Sequence, residues 1–187
     1  MAKNVLFVFN PHAGKGAIKG ESVNLMDRFS KAGYRVEVYV SQFSGDLRNK
    51  VKELGAGKDL VVCSGGDGTL NEVISAIMEM DPKPELGYLP AGTTNDFGAS
   101  HNIPKDFRKA VDMLMTGTPH PIDIGSFNED RYFAYVAGFG AFTDVPYKTS
   151  QDLKAILGHP AYIVEGAISL FDLKPIHTWI RNGDTVM

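Results

Sequence analysis

Short apolar runs alternate, along the first two thirds of the chain, with segments in which apolar residues recur every three or four positions. The runs are typical of buried strands, and the wider spacing is typical of helices packed on a core. The sequence predicts strands at residues 5–9, 34–40, 60–63 and 86–89, and helices at residues 18–32, 46–54, 70–80 and 106–115. This alternation predicts an α/β fold with an open, mostly parallel sheet and flanking helices, whose ligands gather at the carboxyl ends of the strands.

The pattern changes after residue 121. Two apolar stretches, residues 122–127 and 132–140, are separated by polar residues and predict an antiparallel hairpin. Near the end, Asn182-Gly183 is a type I′ turn signal between two further stretches, 176–181 and 184–187. We therefore predict a nucleotide-binding α/β domain at residues 1–121 and the first part of a β-rich domain at residues 122–187. Because the last strand would be left without its full length, we expect the chain to be a piece of a longer protein.

Composition and charge narrow the class of protein. The chain has 187 residues, of which 43% are hydrophobic and 22% charged, as in an ordinary globular protein. A net charge of -3 without a stripe of Lys and Arg argues against nucleic acid as a partner. Cys63 is the single cysteine and lies in an apolar run, which predicts a buried thiol. The N-terminus lacks a secretory pattern and no apolar stretch reaches roughly 18 residues, so we expect a cytoplasmic protein that does not span a membrane. Residues 155–171 come nearest to such a stretch and predict a buried helix, with contact to a membrane surface as the alternative.

The most informative motif is Gly-Gly-Asp-Gly-Thr at residues 65–69, between a predicted strand and a predicted helix. Glycines let the backbone approach a ligand, and the amides of a helix N-terminus favour an anion such as phosphate. Asp67 would repel phosphate unless a cation lay between them, so the motif predicts phosphate together with Mg²⁺. The alternative needs no ligand, because Thr69 and Glu72 have the spacing of a capping box. Three glycines exceed what a simple turn requires, which favours the ligand.

Two further glycine clusters also follow predicted strands. The first, residues 10–16, matches neither the G-x-x-x-x-G-K-[ST] nor the G-x-G-x-x-G fingerprint, and a purely structural turn is the alternative. In a phosphate site, Lys15 would act there as a point charge. The second cluster, residues 90–97, is also compatible with a polar turn that caps a short helix. The recurrence of glycine with polar side chains after three strands favours a shared site.

Three carboxylates are expected near that site. Asp67 and Asp96 lie in the glycine clusters, and Asp123 lies between two isoleucines of a predicted strand, where facing solvent is its alternative. Carboxylates that meet at one sheet edge repel one another unless a cation relieves them, and Mg²⁺ prefers carboxylate, water and phosphate oxygens. This arrangement favours phosphoryl transfer. The scattered histidines and the absence of an activating partner near Cys63 in sequence argue against a zinc site or a Ser-His-Asp triad.

Three motifs together resemble a known family. They are Asn10-Pro11-x-Ala13-Gly14-Lys15, Gly65-Gly66-Asp67-Gly68-Thr69-Leu70-Asn71-Glu72 and Pro90-x-Gly92-Thr93-x-Asn95-Asp96-Phe97. The sequence resembles the diacylglycerol kinase catalytic family, of the soluble bacterial lipid kinase type, and residues 121–125 and 137–144 fit the start of its β-rich domain. The Gly-Gly-Asp-Gly-Thr motif at residues 65–69 is shared with NAD kinases and, loosely, with phosphofructokinases, whereas the motif at residues 90–97 favours lipid kinases.

The resemblance implies an enzyme that transfers the γ-phosphoryl group of ATP to diacylglycerol, or a related lipid alcohol, and gives phosphatidate. It implies ATP between the two domains, a Mg²⁺ and water network at Asp67, Asp96 and Asp123, and a general base in a segment after Met187. Among the residues present, Asp96 is our candidate for a catalytic role. The implied nucleotide contacts are Asn10, Pro11, Gly14, Lys15, Ser41, Gly65, Gly66, Asp67, Gly68, Thr69, Leu70, Asn71, Glu72, Gly92, Thr93 and Asn95.

The lipid substrate implies peripheral contact with a membrane surface. Whether the protein is a monomer or a homodimer is left open. Two alternatives to a lipid kinase remain: a phosphotransferase resembling NAD kinase, and a nucleotide-binding module without catalysis.

Overall fold

The computed structural model describes residues 3–127, 131–138, 181–182 and 185–186. Its contacts divide the chain into two units, Met1–Val136 and Ala137–Met187. The domain boundary after residue 121 stays a prediction. The stretch at residues 155–171 lies outside the described residues.

A parallel sheet of four strands lies at the centre of the first unit. The strands are β1 Asn4–Phe9, β2 Arg35–Val40, β3 Leu60–Gly65 and β4 Glu85–Pro90. Their spatial order is β2-β1-β3-β4, and every neighbouring pair is parallel. All six residues of β3 are buried because this strand has a neighbour on each side and helices on both faces. The predicted open parallel sheet is therefore confirmed.

Within residues 3–127, five helices flank the sheet: α1 Ile18–Lys31, α2 Asp46–Leu54, α3 Asp67–Met78, α4 Asp96–Ser100 and α5 Phe107–Thr116. One buried cluster joins α2 and α3 to β-strand residues such as Leu6 and Cys63, and a second joins α1 and α5 to residues such as Phe7 and Val62. Consecutive strand residues thus enter opposite clusters. Because both faces are covered, the strands read as continuous apolar runs. Cys63 is fully buried, as its apolar context predicted.

The start of α3 differs from its predicted position. Strand β3 continues to Gly65, and α3 begins at Asp67 with Gly66 as its N-cap, three residues before the predicted start. The predicted capping box of Thr69 and Glu72 is wrong, because Thr69 already lies inside the first turn and the helix has no side-chain cap. The Glu72 carboxylate accepts hydrogen bonds from the N–H groups of Gly45 and Leu47 instead.

Two antiparallel hairpins were predicted, and paired strands are present at both places within the described residues. In the first unit, β5 Gly125–Phe127 pairs with β6 Arg131–Phe133, so Asp123 precedes the strand rather than lying inside it. In the second unit, β7 Arg181–Asn182 pairs with β8 Thr185–Val186. Asn182 pairs with Thr185, so it lies in the strand rather than in the predicted turn. Among the residues that the structure describes, no helix has the length and apolar character needed to cross a membrane.

Candidate functional site

Three glycine-containing turns meet at the carboxyl edge of the parallel sheet. The amide of Asn10 donates to the Ser64 carbonyl at 3.0 Å, and the amide of Ala91 donates to the Gly65 carbonyl at 2.8 Å. A Cβ atom added to Gly92 would lie 2.4 Å from the Cα of Gly66, closer than two such atoms approach. The convergence predicted for residues 10–16, 65–69 and 90–97 is confirmed.

Gly14 completes this junction. Its φ of +55° lies in the left-handed region, and a Cβ there would lie 2.5 Å from the carbonyl oxygen of Ala91. Both the dihedral angle and the close approach require glycine. At Gly14 the first turn therefore packs directly on the backbone of the third.

Asp67 joins the second turn to the third. Its carboxylate accepts hydrogen bonds from the backbone N–H groups of Asp96 and Phe97, each at 3.1 Å. These two amides lie in the first turn of α4, where they have no partner within the helix. The carboxylate of one motif thus caps the helix of another motif and brings the Asp67 side chain to the backbone of Asp96. The sequence motif pointed to a metal at Asp67 and gave no sign of this contact.

The third turn is shaped by Asn95, which is buried and adopts a left-handed conformation with a φ of 59°. Its side-chain oxygen accepts from the amide of Gly92 at 2.8 Å, and its side-chain nitrogen donates to the Gly92 carbonyl at 2.7 Å. Asparagine tolerates this conformation better than most residues, and the paired bonds fix the turn. Asn95, predicted as a nucleotide contact, thus uses its side-chain amide to hold the turn itself.

Tyr88 is a residue of the site that sequence reasoning missed. Its hydroxyl donates to the carbonyl of Gly65 at 3.0 Å and lies 3.3 Å from the side-chain oxygen of Asn95. Burial, followed by the charge of Asp67, raises the pKa of Tyr88. In the sequence it belongs to an apolar run, where nothing distinguishes its hydroxyl from that of an ordinary core tyrosine. The structure shows that it supports both glycine turns.

The first turn approaches α3 through side chains. The side-chain nitrogen of Asn10 donates to the Thr69 hydroxyl over a long distance of 3.5 Å. The side-chain oxygen of Asn10 accepts from the backbone N–H of His12 at 2.9 Å. Below them, the Ser64 hydroxyl is fully buried and finds no hydrogen-bond partner in the described part of the chain. Lys15 is exposed, as a side chain that reaches a soluble phosphate must be.

Ser41 also lies at this edge. Its backbone N–H donates to the carbonyl of Phe9 at 2.9 Å. Ser41 therefore extends the pairing of β2 with β1 by one residue, next to the first glycine turn. The segment after it is bound to α3, because the Glu72 carboxylate accepts from Gly45 at 2.9 Å and from Leu47 at 3.3 Å. Glu72, predicted as a nucleotide contact, therefore holds a neighbouring segment of the same edge.

The remaining predicted contacts differ in accessibility. The side chain of Leu70 is buried in the core, and its amide donates to the Gly66 carbonyl, so it presents nothing to a ligand. Asp67, Gly68 and Thr69 form the first turn of α3, whose amides have no partner within the helix. The other predicted contacts are half-buried or exposed; they are Pro11, Asn71, Gly92 and Thr93.

The residues at this edge fit a magnesium ion only if a bound nucleotide supplies further oxygen atoms. No group of three or more His, Cys, Asp or Glu side chains within residues 3–127 and 131–138 is arranged to hold a metal ion. The third predicted carboxylate, Asp123, is exposed. Each oxygen of Asp67 accepts one amide and keeps a second lone pair free. Since Mg²⁺ is commonly held by one or two carboxylates, water and substrate phosphates, the residues fit an ion that binds together with a nucleotide.

Comparison with known proteins gives the same family that the motifs indicated. The family model for the diacylglycerol kinase catalytic domain matches residues 4–127. A protein named diacylglycerol kinase from Bacillus subtilis (strain 168) is 37% identical over 181 residues, which are 96% of this chain and 59% of that protein. One from Staphylococcus epidermidis is 36% identical over 187 residues, 100% of this chain and 59% of that protein.

Solved structures agree with this result. A crystal structure of a diacylglycerol kinase from Bacillus anthracis aligns with a TM-score of 0.64 at 25% identity, covering 70% of this chain and 45% of that one. The chain thus spans about three fifths of the length of the curated relatives it matches. The family match extends over the sheet, all three glycine turns and the five helices, and we conclude that the chain belongs to the diacylglycerol kinase catalytic domain family.

Proposed function

We propose that this chain supplies the nucleotide site of an ATP- and Mg²⁺-dependent lipid kinase, which transfers the γ-phosphoryl group of ATP to diacylglycerol or a related lipid alcohol. The observation that carries the proposal is the backbone junction of Gly66 and Gly92, bridged by Asp67 to the N-terminus of α4. Because neither glycine has a side chain, a large anion can reach the amides of Asp67, Gly68 and Thr69, which have no partner within α3. The family and the names of the relatives support a lipid alcohol as the acceptor.

Phosphates have room at the start of α3. Gly68 is exposed, and a Cβ added to it would meet nothing within 4 Å. The amides of this turn and the positive end of the helix dipole favour negative charge there. Lys15 is exposed on the neighbouring turn and is proposed to meet the phosphates as a point charge. The proposed nucleotide contacts are the exposed and half-buried residues of the three turns together with Ser41.

Asp67 and Asp96, with Asp123 as the third predicted carboxylate, would hold Mg²⁺ through water and phosphate oxygens. When bound, the ion neutralises charge that develops on the transferred phosphoryl group. The lipid hydroxyl oxygen forms a bond to the γ-phosphorus, the bond to the ADP oxygen breaks, and the hydroxyl proton passes to a general base. That base is predicted in a segment after Met187. A lipid acceptor requires contact with a membrane surface, so we propose a cytoplasmic protein that binds membranes peripherally.

Paired binding and turnover measurements test the proposal. We expect this chain to bind Mg-ATP in calorimetric titration, and the longer protein to phosphorylate a short-chain diacylglycerol. NADP formation from NAD without lipid phosphorylation would replace the proposal with an NAD kinase. Nucleotide binding without turnover in the longer protein would replace it with a regulatory module.

Replacing Asp67 by asparagine tests its place beside the metal. The new side chain would be neutral yet would keep one oxygen for an α4 amide, so we expect the fold to persist. Mg-ATP affinity should fall about 10- to 100-fold, the range for groups that act on a metal through water. The matched control is Asp59→Asn, because Asp59 also accepts a backbone amide, from Asn4 at 2.7 Å, but lies at the opposite end of β3. Equal affinities of the Asp67→Asn variant and the unaltered chain would remove Asp67 from the metal site.

A further inference from the structure

Phe43 is an exposed aromatic side chain in the segment between β2 and α2. Its side chain is 68% exposed, although phenylalanine is usually buried. Other large apolar side chains exposed in the described part of the first unit include Val23 on α1, Val38 on β2 and Met113 on α5. Those three lie within helices or a strand, whereas Phe43 lies at the carboxyl edge of the sheet.

The backbone around Phe43 is held by hydrogen bonds on both sides. Its carbonyl accepts from the hydroxyl of Ser41 at 3.1 Å and from the amide of Asp46 at 3.3 Å. The buried carboxylate of Asp46 accepts from the amide of Gln42 at 2.8 Å and from the hydroxyl of Tyr39 at 2.8 Å. The segment is therefore anchored while its one aromatic ring stays uncovered.

The same anchors tie this segment to the candidate phosphate site. The amide of Ser41 donates to the carbonyl of Phe9, which directly precedes the first glycine turn. Glu72 accepts from the amide of Gly45 and stands on α3, five residues after Asp67. Phe43 thus belongs to the edge that carries the glycine turns, in a segment connected to two of the elements that form it.

We propose that Phe43 is a stacking platform for the base of the nucleotide whose phosphates lie on the glycine turns. The inference rests on the proposed function and names a binding residue that the family motifs do not contain. A nucleotide offers a flat apolar face at one end and phosphates at the other, and this edge offers an exposed ring and open backbone amides. Because every base has a flat π face, stacking contributes to affinity without selecting one base strongly.

Binding measurements with and without a base test the proposal. We expect Phe43→Ala to weaken the binding of Mg-ATP and Mg-GTP by about 5- to 150-fold, as loss of one stacked base does. Binding of inorganic tripolyphosphate with Mg²⁺, which has no base, should be unchanged. Phe43→Trp should retain the affinity for ATP, and its added indole emission should be quenched as ATP is titrated. Val23→Ala is the matched control, because Val23 is 69% exposed on α1. This substitution should change the affinity for neither ATP nor tripolyphosphate.

Each other outcome overturns the proposal. ATP affinity that is unaltered in Phe43→Ala would show that the ring contacts no base. Equal losses for ATP and tripolyphosphate would show that the ring supports the turns instead. Loss of binding to phosphatidylglycerol vesicles with ATP affinity retained would assign Phe43 to a membrane surface. If the unaltered chain bound neither ATP nor tripolyphosphate, the proposed function would fail together with this inference, whereas failure of the platform alone leaves tripolyphosphate binding intact.

Discussion

Single glycines decide how closely the turns of this site approach one another. Gly66 and Gly92 bring their backbones into contact, and Gly14 reaches the carbonyl of Ala91. Gly68 differs from them, because it is exposed and has open space where a side chain would begin. Two kinds of glycine therefore lie within one candidate site: those whose close contacts leave no room for a side chain and one that is exposed with open space beside it.

Alanine substitutions separate these two kinds. Gly92→Ala places a methyl group 2.4 Å from the Cα of Gly66, so we expect a loss of about 1–3 kcal/mol in the free energy of unfolding, as in other overpacked sites. Gly68→Ala, its matched control, should leave that free energy unchanged or raise it by up to ~1 kcal/mol, since alanine favours a helix. Urea denaturation measures both values. A Gly92→Ala variant as stable as the unaltered chain would contradict the tight junction.

Ser64 gives a second test at the level of one residue. Its hydroxyl is fully buried and has no partner among the described residues, and such a group costs about 1–3 kcal/mol to bury. We therefore expect Ser64→Ala to keep or raise the thermal midpoint of unfolding. Ser75→Ala is the comparison, since Ser75 is also buried but keeps 6% exposure, whereas Ser64 has none. A marked loss of stability in Ser64→Ala would reveal a partner for its hydroxyl, such as a buried water.

At the scale of elements, α3 organises its two neighbours through carboxylates. Asp67 accepts two amides at the start of α4, and Glu72 accepts two amides at the start of α2. Each carboxylate meets unpaired N–H groups and the positive end of a helix dipole. The helix that carries the central glycine motif therefore also fixes the segments that follow β2 and β4.

Removing Glu72 should loosen α2. We expect Glu72→Ala to lower the free energy of unfolding by about 1–2 kcal/mol, the usual effect of losing an N-terminal cap. Hydrogen exchange of the Gly45 and Leu47 amides should accelerate. The exchange rates of the Glu72→Gln variant should lie between those of Glu72→Ala and the unaltered chain, because glutamine keeps one acceptor oxygen. Glu85→Ala is the control, because Glu85 is exposed at the start of β4 and takes part in none of the described ion pairs. Unaltered exchange at Gly45 would contradict the capping role.

At the scale of the whole molecule, the core holds two acidic groups that stay protonated. Burial raises the pKa of the Cys63 thiol, with a smaller contribution from the charge of Glu72. Burial also raises the pKa of Tyr88. Both groups lie in the cluster between the sheet and the helices α2 and α3, so in alkali, above their ordinary pKa values, they keep their protons only while the protein is folded.

This burial predicts a loss of stability in alkali. In the unfolded chain the Cys63 thiol deprotonates around its ordinary pKa of 9.0, whereas the folded protein holds the proton. The unfolded state then binds fewer protons, so the free energy of unfolding falls as pH rises above 9, by about 1.4 kcal/mol per unit from this group. Urea denaturation at pH 7 and pH 10 measures the fall.

Cys63→Ala supplies the control for that measurement. The variant loses packing at both pH values. The fall in its free energy of unfolding between pH 7 and pH 10 should, however, be smaller than the fall in the unaltered chain by about 1.4 kcal/mol. An identical difference in both proteins would show that the thiol does not contribute.

The fold was largely readable because its signals are local. The helix at Asp46–Leu54 was predicted to the residue, and α5, predicted from residue 106, begins at Phe107 with Asp106 as its N-cap. The start of α3 was misplaced because Thr69 and Glu72 satisfy a local rule, whereas Glu72 is used by a helix 25 residues earlier in the chain. Long-range hydrogen bonds of this kind leave no periodic trace in the sequence.

The amino-acid sequence by itself determined the parallel sheet, the position of three glycine turns after its strands, and the family that those turns indicate. Each follows from apolar spacing and turn chemistry, which act between near neighbours. Only the tertiary structure decided that Asp67 caps α4, that Tyr88 supports the Gly65 carbonyl and that Phe43 stands uncovered on an anchored segment. Those features depend on which groups meet across distant parts of the chain, and tertiary packing decides which groups meet. A buried donor or acceptor bonds to whichever partner the fold brings within hydrogen-bonding distance.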